Sequence, residues 1–432
     1  MNDYNSNKKT GKALIPRFRF PEFQNSGEWE VKKLGEIGKI ITGSTPSKKD
    51  PKNWNGNFVW ITAQDFKGKY ISDSIEKLTD KGKSISRIVP KNSVLVTCIA
   101  SIGLNAINKV ECATNQQINA IICRDKIAYH EFIYYCIVNS ENRLKNIAGH
   151  TAVPIINKSD FEKFAIPLPS LPEQQKIASC LSSIDEVIAG ERQKLELLKA
   201  HKKGLLQNLF PREGETVPKW RFPEFKDSGE WEEKIIGEIG ETINGLTNKS
   251  ANDFGKGSPF ITYLQVYEDS MVNLDKCSFV NIELNEKQNT IHKGDILITT
   301  SSETPDEVGF ASVMLNEPAQ DTYLNSFCFC LRPHKKANLL PEFSRYLFRS
   351  NLYRKQINKI AQGITRFNLS KQSFLKVLLL IPPLPEQQKI ADCLSSLDEL
   401  INAQQQKIEL LEQHKKGLLQ GLFPNVNDVD NG

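Results

Sequence analysis

The stretch LPEQQKIASCLSSIDEVIAGERQKLELLKAHKKGLLQNLFP (171–211) returns as LPEQQKIADCLSSLDELINAQQQKIELLEQHKKGLLQGLFP (384–424), identical at 30 of 41 positions. In the first copy Ile177, Leu181, Ile184, Ile188, Leu195, Leu198, Leu205 and Leu209 lie on one series of alternating four- and three-residue steps, with Glu191 and Lys202 as its polar members. In the second copy the series is Ile390, Leu394, Leu397, Ile401, Ile408, Leu411, Leu418 and Leu422, with Gln404 and Lys415 as the polar members. A mean spacing of 3.5 residues is the seam of a coiled coil. One helix alone leaves that stripe in water, so each copy is expected to pair with its twin.

Both ends of each copy carry stop and start signals. Pro172 and Pro385 sit in the first turn, where a missing N–H breaks no hydrogen bond, and Glu173 and Glu386 suit the positive end of the helix dipole. Phe210-Pro211 and Phe423-Pro424 end the helices. His201 and His414, late in each copy, read as surface residues. A helix of about 38 residues spans about 57 Å. That is long enough to hold two heads at the ~34 Å separating DNA half-sites one helical turn apart.

Working outward, RFPEFQNSGEWE (19–30) returns as RFPEFKDSGEWE (221–232), and both run on to Gly-Glu-Ile-Gly at 35–38 and 237–240. The offset between these copies (221 against 19) is smaller than that between the helix copies (384 against 171), so the second globular segment is the longer. Between the matched ends the halves diverge, apart from PKNSVLVT (90–97) against HKGDILIT (292–299), each a turn followed by a buried strand. Near-identical frames carrying dissimilar heads suggest two reading surfaces on one symmetric support. Strands are expected at 92–99, 118–123, 295–300 and 327–331, and amphipathic helices at 129–138 and 340–352.

Composition limits what the heads do. Apolar residues make up 39% and charged residues 25% of the chain, ordinary for a globular protein. No apolar run reaches the roughly 18 residues of a membrane span. Residues 1–12 are polar and lack the apolar stretch of a secretory signal, so a cytoplasmic chain is expected. Nine cysteines contain no CxxC pair, which argues against a zinc ribbon or a disulfide framework. Six histidines show no metal-ligand clustering, and there is no HExxH, GxSxG, GxGxxG or phosphate-binding loop. No catalytic residue and no metal ligand is assigned. The net charge of +5 is compatible with a nucleic-acid partner but modest for a non-specific binder.

Base edges are read by Asn, Gln, Arg, Lys, Ser and Thr, and phosphates are held by Lys and Arg. Loops rich in these types give the candidate DNA contacts. In the first head they are Ser44, Thr45, Lys48, Lys49, Gln64, Asn115, Gln116, Gln117 and Thr151. In the second they are Thr247, Asn248, Lys249, Gln265, Ser301, Ser302, Thr365 and Arg366.

The doubled helix opening, Pro-Ser-Leu-Pro-Glu-Gln-Gln-Lys-Ile-Ala at 169–178 and Pro-Pro-Leu-Pro-Glu-Gln-Gln-Lys-Ile-Ala at 382–391, resembles the specificity subunits of type I restriction–modification enzymes. So does the head–helix–head–helix order, and the resemblance covers nearly the whole chain. It implies an α+β protein with a pseudo-two-fold internal repeat: two target recognition domains of similar mixed fold, joined by two long helices forming an antiparallel coiled coil. Residues 1–15 would be a flexible lead, 16–170 the first recognition domain and 171–211 the central helical region. Residues 212–383 would be the second recognition domain, 384–424 the C-terminal helical region and 425–432 a tail. Each head would read one half of a bipartite site in double-stranded DNA, while the helices set the spacing and dock two modification (methyltransferase) subunits. Restriction (endonuclease and translocase) subunits would join them. S-adenosylmethionine, ATP and Mg2+ would belong to those partners, with no cofactor on this chain and no membrane contact. The competing readings are a coiled-coil scaffold with protein-binding heads and a self-sufficient DNA-modifying enzyme.

Overall fold

A computed structural model describes residues 14–149, 152–304, 307–363 and 365–424. Two helices dominate it, Leu171–Asn208 and Leu384–Leu422, of 38 and 39 residues. They start at the first residue of each repeated stretch. They stop shortly before the prolines, and the residues at these ends, Leu209, Phe210, Leu422 and Phe423, lie in the cores of the heads.

The chain forms two compact units, residues 1–192 with 406–432, and residues 193–405. Each unit therefore holds one head, the first half of the helix that follows it, and the last half of the other helix. In the first unit Asp185 pairs with Lys415 and Glu191 with Lys407, so partner numbers fall as residue numbers rise and the helices run antiparallel. In the second unit Lys202 meets Asp398, and Leu209 and Phe210 share a core with Ile390 and Leu394, again antiparallel. Ile177, Leu181, Ile188, Leu195, Ile390, Leu394, Leu397, Ile401 and Ile408 are buried. Ile184, Leu198 and Leu411 are half-buried. Three of the polar series members have defined roles: Lys202 and Lys415 each reach an aspartate of the antiparallel helix, and Glu191 receives Lys407 at 2.5 Å. Gln404 is buried.

The heads share one topology despite their dissimilar sequences. In the first, Gly38–Thr42, Ile118–Cys123, Val94–Thr97, Asn105–Asn108 and Tyr70–Ile71 form a five-stranded sheet in that order. In the second, Gly240–Asn244, Cys328–Pro333, Ile296–Thr299 and Ala311–Val313 repeat its first four places. A second layer orders Glu76–Leu78, Trp54–Ile61, Cys112–Thr114 and Ile88–Val89 in the first head. It orders Ser278–Val280, Phe254–Ile261 and Tyr323–Leu324 in the second. Even the irregularity recurs, with a register shift between Trp54 and Phe58 and another between Phe254 and Ser258. A short antiparallel pair closes each head onto its helix: Glu30–Lys33 with Ala165–Leu168, and Glu232–Ile235 with Leu378–Ile381.

The strands expected near 92–99, 118–123, 295–300 and 327–331 are present, the last as Cys328–Pro333, and His130–Asn139 is helical. The helix expected over 340–352 is two helices, Pro341–Leu347 and Asn351–Ile360. Ser350 interrupts it, because its hydroxyl accepts from the Tyr353 N–H and starts a new helix there. The break lets Phe348 and Tyr353 both face the core, each fully buried.

Candidate nucleic-acid interface

What holds each head on its helix explains the repeated motifs. Arg19 donates two hydrogen bonds to the buried Glu173 carboxylate, both at 2.8 Å, and Trp29 Nε1 donates a third at 3.3 Å. Arg221, Glu386 and Trp231 repeat this at 2.8, 2.7 and 3.3 Å. A bidentate guanidinium–carboxylate pair of this kind fixes orientation as well as position. The next residue completes the joint. Gln174 accepts from the Tyr129 N–H and donates to the carbonyls of Ile127 and Pro169. Gln387 does the same with the Leu340 N–H and the carbonyls of Asn338 and Pro382. The Glu-Gln of the helix opening is thus a buried polar socket, a deeper role than the dipole partner that sequence alone suggested. The far end of the other helix supplies a plug: Phe423 stacks on Phe132 at 5.3 Å, and Phe210 on Phe343 at 5.6 Å.

Several of the candidate contacts lie together at one rim of each head, where strands of both layers end. In the first head the Asn115 N–H donates to the Ile61 carbonyl, and the Asn115 side chain accepts from the Gln117 N–H at 3.1 Å. In the second, the Asn325 N–H donates to the Ile261 carbonyl, and its side chain accepts from the Phe327 N–H at 2.9 Å. Gly43 and Gly245 pass directly over these turns. A methyl group on either would lie 2.1 Å from the Asn115 carbonyl oxygen or 2.2 Å from that of Asn325, so only glycine fits.

On this common frame the side chains differ. The first head presents Gln116 and Gln117 where the second presents Ser326 and a half-exposed Phe327. Thr45 hydrogen-bonds Gln116 across the rim, the Ser44 hydroxyl accepts from the Arg87 N–H at 3.2 Å, and Asn115 donates to the Gln117 side chain at 3.0 Å. Lys48 pairs with Glu76 while lying 4.5 Å from the Trp54 ring. Lys49 and Gln64 are at least partly exposed, the latter in the turn after Trp54–Ile61. Thr151 lies outside the described residues.

In the second head Thr247, Asn248, Thr365 and Arg366 are exposed. Four other candidates serve the fold. Gln265 is 5% exposed and donates to the Asn273 carbonyl. Lys249 is committed to Glu286 and the Asn281 carbonyl, with its side chain 6% exposed. Ser301 and Ser302 are buried, Ser301 accepting from Arg366 at 2.8 Å and Ser302 donating to Glu307. A loop composition cannot distinguish a polar side chain that bonds its own loop from one left outward. Sequence reasoning also missed Arg87, Asn325 and Phe327. The Asn-x-x sequence before the strands at 118 and 328 is the one signal that could have found the latter two.

Glu286 is held at a pKa of about 2, below the ordinary 4.5, by hydrogen bonds from Lys249, from Gln288 and from the Glu283 N–H. Gln288 in turn bonds the Thr247 backbone in both directions, at 3.1 and 2.8 Å, so this network sets the loop that carries Thr247 and Asn248. Among the described residues no group of three or more His, Cys, Asp or Glu side chains is placed to hold a metal ion. No helix among them is long and apolar enough to cross a membrane.

Two heads of one fold, each with a rim of different polar chemistry on the same backbone frame and each socketed on a long helix, define a bipartite recognition protein. The family model for the type I restriction modification DNA specificity domain matches twice, at residues 26–200 and 228–413, and the chain belongs to that family. It is a specificity subunit of a type I restriction–modification system and not a catalytic one. Among its relatives is the MjaIX specificity subunit of Methanocaldococcus jannaschii, 28% identical over 91% of this chain and 92% of that one. The MjaVIII specificity subunit of the same organism is 25% identical over 94% of each chain. The fold is shared with the S subunit from M. genitalium, with a TM-score of 0.56 at 17% identity over 95% of this chain and all of that one. A further chain of a type I R-M system has a TM-score of 0.59 at 19% identity, covering 92% and 98%.

Proposed function

We propose that each head reads one half of a split site in double-stranded DNA through its rim, with the two long helices setting the distance between the halves. The observation that carries this reading is the pairing of a fixed frame with changed chemistry. Asn115 and Asn325, Gly43 and Gly245 keep the same bonds and close contacts, while Gln116-Gln117 gives way to Ser326-Phe327. Ser44, Thr45, Lys48, Lys49, Gln64, Asn115, Gln116 and Gln117 are the contacts we assign to the first head, and Thr247, Asn248, Thr365 and Arg366 to the second.

The helices carry a second repeated feature. Val187 and Leu400, at equivalent places in the two copies, are 48% and 57% exposed, and Leu197 and Leu410, likewise equivalent, are 64% and 65% exposed. Large apolar side chains held in water at equivalent places favour two equivalent docking sites. Two modification subunits are the occupants we assign, with restriction subunits joining them. S-adenosylmethionine, ATP and Mg2+ then act on those partners, and the complex works in the cytoplasm.

The test is methylome sequencing of cells that carry this chain with its modification subunit, against cells lacking only the chain. A split motif with methyl-adenine on both strands, lost with the chain, is the expected result. The absence of chain-dependent methylation beside a competent partner would overturn the reading in favour of a scaffold.

A further inference from the structure

In the second head, the Arg366 guanidinium lies 5.1 Å from the centre of the Phe327 ring, and its Nε donates to the buried Ser301 hydroxyl at 2.8 Å. Phe327 is itself 50% exposed, and Arg366 is exposed. An aromatic face below and a hydrogen bond to Nε restrict the guanidinium plane. A side chain that loses little freedom on binding is suited to reading rather than to loose charge attraction. With Nε committed, the two terminal nitrogens remain as a parallel pair of donors. Guanine is the one base whose major-groove edge offers two adjacent acceptors, O6 and N7, to such a fork.

The first head lacks the means to copy this. Matching the cross-bonds Ile156 N–H to Cys98 and Leu369 N–H to Thr300 places Val153 where the second head has Arg366. By the same register Ile99 stands for Ser301, and Gln117 for Phe327. The stack, its anchor and its fork are all replaced together.

The geometry points to Arg366 as the reader of a guanine in the half-site of the second head, with Phe327 and Ser301 as its positioning residues. This rests on the reading of the rims as DNA contacts. The test is competitive selection from a DNA pool randomised across both half-sites, using the full chain with its modification subunit. Wild-type protein is compared with R366K, which keeps the charge but not the fork, and with F327A. Wild type is expected to require guanine at one position of one half-site. R366K should reduce that preference by about 5- to 150-fold, the range of one good bidentate contact. F327A should reduce it less. The remaining positions and the other half-site should be unchanged, which also reports that each variant is folded. Weaker binding spread evenly over all sequences would make Arg366 a phosphate contact and overturn the proposal. Unchanged preference in R366K would overturn it as well. A wild-type complex that selects no sequence would instead sink the underlying DNA-reading role.

Discussion

Asp185 on the central helix pairs with Lys415 on the C-terminal helix at 2.5 Å, and the twin residues repeat the ion pair as Asp398 with Lys202. Each aspartate also accepts from a tyrosine of the adjoining head, Tyr135 at 2.6 Å and Tyr346 at 2.8 Å. Head, first helix and second helix therefore meet at one carboxylate in each unit. The lysines that interrupt the apolar series are the antiparallel counterpart of that joint. K415A should lower the local stability of the first unit by about 1 kcal/mol, the upper end for a partly solvated ion pair. A double-mutant cycle with D185N, read by hydrogen exchange in both helices, should show coupling of about 1 kcal/mol. Additive effects would mean that the contact contributes nothing.

Removing one member of the buried socket should cost more. E173Q leaves the Arg19 guanidinium, 7% exposed, without its counter-charge, a loss of about 3–5 kcal/mol. E386Q should do the same through Arg221. The loss of exchange protection should stay within the unit that carries the substitution. Equal losses in the strands of both heads after E173Q would show that the socket is not local.

Lengthening both helices by one heptad, inserted so that the antiparallel register is kept, adds about 10.5 Å of rise. If the helices set the gap, the recognised spacer should grow by about three base pairs at ~3.4 Å each, with both half-sites unchanged. Sequencing the methylated sites reads this directly. A spacer of unaltered length would refute the ruler.

The loop bearing Thr247 and Asn248 should respond to acid. The folded-state pKa of Glu286 lies below its ordinary value, so its contribution is complete above pH 4.5 and is lost as pH falls towards about 2. Pepsin cleavage within 283–289 should rise across that window. E286Q should remove the pH dependence by cutting the loop free at every pH; a wild-type loop equally resistant at both ends of that window would show that Lys249 is not what holds it.

The helices were legible because a 3.5-residue period over 41 positions, written twice, leaves few alternatives. The common fold of the heads was barely legible. Its strands pair across long stretches of chain, and the frame needs only a few residues, among them Trp29 and Trp231, Glu173 and Glu386, and Gly43 and Gly245. Most of the sequence between them differs from one head to the other. The rim was legible as a class of loops but not residue by residue. Lys249 and Gln265 have the composition of contacts, and only the fold reveals that Glu286 and the Asn273 carbonyl already occupy them.

Leu419, Leu422 and Phe423 belong to the core of the first head, which otherwise comes from residues before 182. During synthesis that core stays open until the end of the C-terminal helix has been made. At ~5–20 residues per second, the roughly 240 residues in between take about 12–48 s to add. The second head, whose plug at Phe210 precedes it in the chain, closes without that wait. The part of the protein made first is thus the part finished last. A chain truncated before Leu419 would lose order at its beginning.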